Sequence, residues 1–305
     1  MRRRLFVISN PGAGLSHSTL IDDTLRALKR AGAEITLARP VSIEAARRAA
    51  QEAAASGNYD AIVAAGGDGT IRHVAAALID SATPLGIIPV GTGNVLAHEI
   101  GLKPSAKAIA RTLLDGPTVE VACARANGQP FLLMAGAGFD ARILTDLNQR
   151  AKSLLGKIAY AAPLVGALFR PLDRLDLTVD QRPCQASWAV ISNSCHYGGG
   201  FVLTERTGIR QRGLEAILFK AKSRTALVSM LMSLARGRLA ERVAQGDVEM
   251  LTCSHVTIAT AKPVPVQIDG DVVGNTPLEI DAGTARVHLI VPPHGGASGS
   301  STVGH

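Results

Sequence analysis

The sequence predicts an α/β N-terminal domain built on a parallel sheet, followed by a second, mostly antiparallel β domain. Up to residue 114, short apolar runs alternate with stretches of helical spacing, the signature of strands joined in parallel by crossover helices. Beyond Gly116-Pro117 the helical stretches thin out and strand-like runs dominate. In the first part, each glycine-rich turn falls where an apolar run ends and a helix begins, the edge of a parallel sheet at which ligands gather.

Residues 5–8 (LFVI) read as a buried strand and 10–14 (NPGAG) as a sharp turn. Ser18 is a candidate N-cap for a helix to about Arg30 with Ile21, Leu25 and Leu28 on one face. Residues 34–38 form a strand, and an Ala-rich helix runs from Ser42 to Gly57. Residues 62–65 are too short an apolar run for a helix, whereas Ile71, Val74, Ala75 and Leu78 have helical spacing. A further strand over 84–90 precedes a helical pattern at Val95, Leu96 and Ile100, and a last helix covers 105–114.

In the second part, strands are expected at 119–124, 131–135, 187–192, 214–221, 256–259, 264–268 and 287–291. Two helical islands interrupt them, at 142–169 and 223–244. The latter sets Leu227, Met230, Leu231 and Leu234 beside Arg236, Arg238 and Arg242, a stripe that packs on its own core or lies on an anionic membrane. The expected units are 1–117, 118–292 and a Gly/Ser-rich tail, 293–305, with too little to bury to be ordered.

With 305 residues and 47% hydrophobic content, the chain can bury a sizeable core. No charge-free apolar run reaches the roughly 18 residues that span a bilayer, and the basic start, Met1 to Arg4, leads into a strand rather than a signal peptide. Cys123, Cys184, Cys195 and Cys253 are scattered without metal-ligand spacing, which fits reduced thiols in a cytoplasmic protein. A net charge of +7 calls for an anionic partner: nucleic acid, an acidic membrane or a phosphorylated substrate. Aromatic residues make up only 3%, leaving few rings to stack on bases, so nucleic acid is not expected.

Gly66, Gly67, Asp68, Gly69 and Thr70 form one loop, and Gly91, Thr92, Gly93 and Asn94 a second. Helix N-termini attract anions and glycine lets a ligand approach the main chain, so both read as phosphate loops, or else as ordinary βα turns. Thr70 and Thr92 could add hydroxyl donors and Asp68 a carboxylate for hydrated magnesium. His73, His98 and His196 have no partner at ligand spacing and read as structural or surface residues.

Asn10-Pro11 with Gly14, GGDGT at 66–70, GTGN at 91–94, GAGFDA at 136–141 and Asp269-Gly270-Asp271 follow one another in an order that resembles the diacylglycerol kinase catalytic-domain family, which includes bacterial lipid kinases and sphingosine and ceramide kinases. The resemblance implies an N-terminal α/β nucleotide-binding domain of NAD kinase/diacylglycerol kinase type, a C-terminal antiparallel β-sandwich that receives the lipid, and ATP between them. It further implies that the two loops bind ATP, that Asn10 and Gly14 line the same cleft, and that Asp68 lies near phosphates and Mg2+. Asp140 borders the cleft as a functional residue or holds a turn. Where the family pattern reads Asp-Gly-Glu, this chain has Asp271 as the general base, one methylene shorter; the same stretch also reads as a hairpin with Asp269-Gly270 as its two-residue turn. A second, structural magnesium site of the family matches residues 211–215, where only Glu215 keeps a carboxylate and Arg212 adds a cation; the metal is therefore expected to be absent, with a basic interaction in its place.

The resulting expectation is an ATP-dependent lipid kinase, peripheral on an anionic membrane, with diacylglycerol, a sphingoid base or ceramide as acceptor. A homodimer is left open. The rivals are an NAD kinase-like enzyme, which shares GGDGT, and a non-catalytic nucleotide-binding regulator.

Overall fold

A computed structural model describes residues 1–9, 18–147, 161–211 and 213–293. The turn with Asn10 and Gly14, the Ser18 side chain, Arg212, the middle of the first helical island and the tail from 294 lie outside the described residues.

The first sheet runs β2-β1-β3-β4-β20-β5, with β1 Arg4–Ser9, β2 Glu34–Ala38, β3 Ala61–Gly66, β4 Leu85–Pro89, β5 Thr118–Ala122 and β20 Arg286–Ile290. The first four strands are parallel. β3 and β4 are buried along their whole length because helices cover both faces, which is why they read as unbroken apolar runs. Helices α1 (Ser18–Arg30) and α5 (Ala106–Asp115) pack together, as do α2 (Ile43–Ala55) and α3 (Asp68–Ala77); α4 (Val95–Glu99) is a short turn between them in sequence. The Ser42 and Ser105 hydroxyls cap α2 and α5, accepting from Ala45 N at 3.1 Å and Ala108 N at 3.3 Å.

Two antiparallel six-stranded sheets form the sandwich. One contains β6 Ala124–Ala126, β7 Gln129–Phe131, β9 Leu175–Val179, β10 Arg182–Ala186, β16 His255–Ala259 and β19 Leu278–Asp281. The other contains β8 Met134–Ala137, β11 Trp188–Ser192, β14 Leu214–Phe219, β15 Val248–Cys253, β17 Pro265–Ile268 and β18 Asp271–Asn275. Alternation along β11 divides its side chains between two cores. Ala189 and Ile191 enter the sandwich interior, while Trp188 and Val190 join the larger core shared with the α/β domain. A small hairpin, β12 His196–Tyr197 and β13 Phe201–Val202, and helices α6 Phe139–Asp146, α7 Ala161–Phe169, α8 Arg224–Ala235 and α9 Leu239–Ala244 complete the described elements.

Two expectations meet a different arrangement. β5 and β20 fall within the expected second unit, 118–292, yet hydrogen-bond into the first sheet, where Leu289 pairs with Leu85 and Val287 with Val121. Alternating apolar residues fix a strand's inner face but not the sheet it joins. The island at 223–244 is two helices, because Gly237, at φ +67°, ends α8 in the left-handed conformation. Leu227, Met230 and Leu234 are buried, so that stripe packs on its own core. No helix of the described residues is long and apolar enough to cross a membrane.

Candidate active site

The two glycine loops touch. A Cβ on Gly91 would stand 2.6 Å from Gly67 Cα, and one on Gly66 the same distance from Thr70 Cβ, so close packing requires glycine at both places. Asn94, at φ +48°, closes its loop into a ring: Oδ1 accepts from Gly91 N at 2.7 Å and Nδ2 donates to Gly91 O at 2.9 Å. Asp68 fastens one loop to the other, its Oδ2 accepting from Val95 N at 3.0 Å and its Oδ1 from Leu96 N at 3.1 Å. A carboxylate at the start of α4 satisfies donors that the helix cannot. The same two loops contribute the Thr70 and Thr92 hydroxyls. This all-oxygen donor set fits magnesium, which takes oxygen ligands and completes its shell with water and phosphate.

Asp271 meets this wall from the sandwich. Asp269 and Gly270, at φ +47° and +84°, make the two-residue turn between β17 and β18, and Asp271 is the first residue beyond it. A Cβ on Gly69 would collide with the Asp271 carboxylate, so this residue from the second domain rests on the first turn of α3. Asp271 Oδ2 lies 3.2 Å from Arg72 Nη2, across 199 residues of sequence. The Asp271 side chain is 45% exposed, whereas that of Arg72 is 5% exposed. Arg72 Nη2 also contacts His73 Nε2 at 3.1 Å, and Arg72 Nε has no partner among the described residues. Burial and the neighbouring Arg72 charge push the His73 imidazole below its ordinary value.

The other two acidic candidates support the hairpin from behind. Asp269 is buried and accepts from Leu132 N, Leu133 N and Met134 N at 2.9–3.0 Å. Asp140, also buried, accepts from Gln267 Nε2 at 3.0 Å, and Gln267 Oε1 accepts from Gly270 N at 2.9 Å. Gly136 makes room for this chain of bonds, because a Cβ there would stand 2.8 Å from Asp140 Oδ2. Burial pushes both carboxyls up to about 6, against the pull of their donors. Asp140 thus holds a turn, and Asp269 anchors the tip that carries Asp271.

Glu99 locks the second loop's helix to the sandwich. Its Oε2 accepts from Ser194 Oγ at 2.7 Å and Cys195 N at 3.0 Å and lies 2.8 Å from His196 Nδ1, while Oε1 accepts from Ile209 N at 3.4 Å. Burial disfavours its charge, yet the bonds from His196, Ser194 and Cys195 outweigh that and hold the carboxyl below its ordinary value. The His98 and His196 rings face each other at 6.3 Å beside this lock. Gly199 N approaches Gly93, and Gly200 rests on the His98 ring.

Glu215 is 1% exposed and receives the Thr204 hydroxyl and, at 3.4 Å, Arg206 Nη1. The basic partner is therefore Arg206; Arg212, expected in that role, lies outside the described residues. The one cluster of His, Cys, Asp or Glu close enough to share a metal among the described residues is His255, Glu279 and Asp281, on the neighbouring strands β16 and β19. Arg72, Gln267 and Glu99 escaped the sequence reading. A basic residue directly after GGDGT-Ile, on a helix face otherwise apolar, was the available signal for Arg72.

Residues 4–126 match the diacylglycerol kinase catalytic domain, and residues 134–291 the YegS C-terminal NAD kinase beta sandwich-like domain. The chain is 30% identical over 254 residues to a diacylglycerol kinase of Mycobacterium tuberculosis, covering 80% of each, and 25% identical over 300 residues to that of Bacillus subtilis, covering 95% of this chain and 97% of the other. It spans about half, 54%, of the length of an uncharacterized Synechocystis protein to which it is 30% identical over 237 residues. A diacylglycerol kinase structure from Bacillus anthracis superposes with a TM-score of 0.74 over 96% of this chain and 98% of that one, at 22% identity. With both domain models matched in order and the sandwich placing its acidic hairpin on the wall of the two glycine loops, the chain belongs to the diacylglycerol kinase family of lipid kinases.

Proposed function

We propose that the protein transfers the γ-phosphate of ATP to a hydroxyl of a membrane lipid such as diacylglycerol, a sphingoid base or ceramide, with Asp271 as general base. The observation that carries this reading is the Asp271 carboxylate seated against Gly69, in the first turn of the loop that would hold the phosphates. Arg72 occupies Oδ2, and Oδ1 has no hydrogen bond among the described residues, so it can take the proton of a lipid hydroxyl as that oxygen attacks phosphorus. Magnesium arriving with ATP would be held by Asp68 with the loop hydroxyls, and when bound it neutralises charge developing on the phosphates. The Asp269 and Gln267 bonds supply the orientation, fixing the base where a shift of about 1 Å would cost on the order of a hundredfold in rate.

The test offers the purified protein labelled ATP with a lipid panel in mixed micelles and, separately, NAD. Label in a lipid that disappears in Asp271→Asn supports the reading. Label in NAD, or ATP binding without any transfer, overturns it in favour of an NAD kinase-like enzyme or a nucleotide-binding regulator.

A further inference from the structure

The sandwich exposes apolar side chains where its own helices meet the cleft. Phe169, at 69% exposed, stands out from α7 with Leu164 and Val165; α8 exposes Val228 and Met232; β13 exposes Phe201. These elements are neighbours: α7 packs on α8 and α8 on β13. Arg224 Nη2, at the start of α8, donates to Phe169 O at 2.8 Å, joining the two helix ends. The inner faces are already used, since Ala167, Leu227, Met230 and Leu234 are buried beneath. What remains is a second, outward apolar face on helices that have satisfied their own core.

Its charge is one-sided. Residues 161–171, 196–204 and 220–240 contain six lysines and arginines and no aspartate or glutamate. Arg170, Lys220 and Arg238 pair with carboxylates elsewhere, whereas Lys222, Arg224 and Arg236 are exposed with no carboxylate partner among the described residues. Two copies meeting through this face would bring like charges together, while anionic headgroups complement it. The face is also continuous with the site. The hairpin that exposes Phe201 places Gly199 beside Gly93 of the second phosphate loop and Gly200 on His98.

We infer that the α7–α8–β13 face docks on an anionic lipid bilayer, with Phe169, Val165, Phe201 and Met232 entering the headgroup layer and Lys222, Arg224 and Arg236 facing lipid phosphates. Apolar insertion and basic attraction are the two contributions that hold an interfacial protein. That this surface also loads the acceptor rests on the lipid-kinase reading; binding to the bilayer does not.

The experiment is co-sedimentation of the full chain with phosphatidylglycerol/phosphatidylcholine vesicles lacking any acceptor lipid. Variants are Phe169→Glu, Phe201→Glu and Arg224→Glu/Arg236→Glu, with Val41→Glu, an exposed apolar residue of the α/β domain, as control. The expected result is a vesicle partition coefficient lowered about tenfold or more by each aromatic substitution. The paired charge reversal should do the same with a weaker salt dependence, and Val41→Glu should bind like the parent. Thermal melts check that the variants fold, and phosphorylation of a water-soluble short-chain diacylglycerol is followed in parallel. If no lipid is phosphorylated but the partition pattern holds, the function falls and the docking face stands. Equal binding by parent and variants overturns the docking face, as does a dimer in size-exclusion chromatography that the same substitutions dissolve.

Discussion

Replacing Arg72 by methionine should separate stability from catalysis. The guanidinium is buried with Nε unpaired, and leaving a buried donor unmet costs about 1–3 kcal/mol. Against this stands the bond to Asp271, whose gross attraction of about 4 kcal/mol at an effective dielectric constant near 20 is discounted to about 1 kcal/mol because Asp271 is nearly half exposed. The charge left behind returns to water rather than remaining buried, so the penalty usual for breaking a buried pair does not arise. The attraction of Arg72 for Asp269 ranks below burial and the Leu132 and Met134 N–H groups, and changes the sum little. Arg72→Met should therefore leave stability unchanged or raise it by about 1 kcal/mol, a Tm shift of about 2–4 °C at most. It also frees Asp271 to wander from Gly69, so kcat should fall about 10- to 100-fold with KM for ATP nearly constant. Calorimetry and steady-state kinetics on mixed micelles measure both. A Tm lowered by more than about 5 °C or an unaltered kcat would refute the reasoning.

Gly91→Ala drives a Cβ into the backbone at Gly67, which cannot swing aside as a side chain could. It should cost about 1–3 kcal/mol in urea unfolding and abolish ATP binding in a fluorescence titration; retention of both would show that the loops do not need to touch. Asp140 and Asp269 carry carboxyls raised from 3.8 to about 6 on folding, so the stability they contribute is complete below 3.8 and lost as pH rises through about 6. Urea titrations between about pH 4 and 6.5 should show a decline on the order of 2 kcal/mol per group, and Asp140→Asn should remove its share of the slope; an identical slope would contradict the assignment. Glu99 acts in the opposite sense at lower pH, since its depressed carboxyl contributes stability that is lost as pH falls below 4.5 through its folded value.

The fold was legible wherever one short stretch contains its own reason. β11, WAVIS, is buried on both faces and announces itself as an apolar run; β9, LDLTV, buries every second residue and went unnoticed, as did β10, β15 and β19. The Asp269-Gly270 turn could be read because two residues determine it, and the hairpin it makes sets Asp271 as the first residue beyond the turn. The positions of Arg72, Gln267 and Glu99 are set by partners 199, 127 and about 97 residues away. A helix-interior arginine, a strand glutamine and a helix-end glutamate look ordinary until residues far apart in sequence are brought together. Likewise Asp68 was read as a ligand from its composition, while its bonds to Val95 N and Leu96 N, which tie the two loops into one wall, depend on the tertiary approach.

The late strand β20 lies between β4 and β5, which are otherwise strangers. On the ribosome, the half with the two glycine loops emerges first but cannot complete its sheet until residue 290 has been made, after the whole sandwich. The nascent chain therefore carries β4 with an unpaired edge through most of its synthesis. If the glycine loops hold ATP as proposed, nucleotide binding should appear only after the sandwich is in place, so that a ribosome-stalled chain ending near residue 280 would hold both loops in sequence and neither in working form.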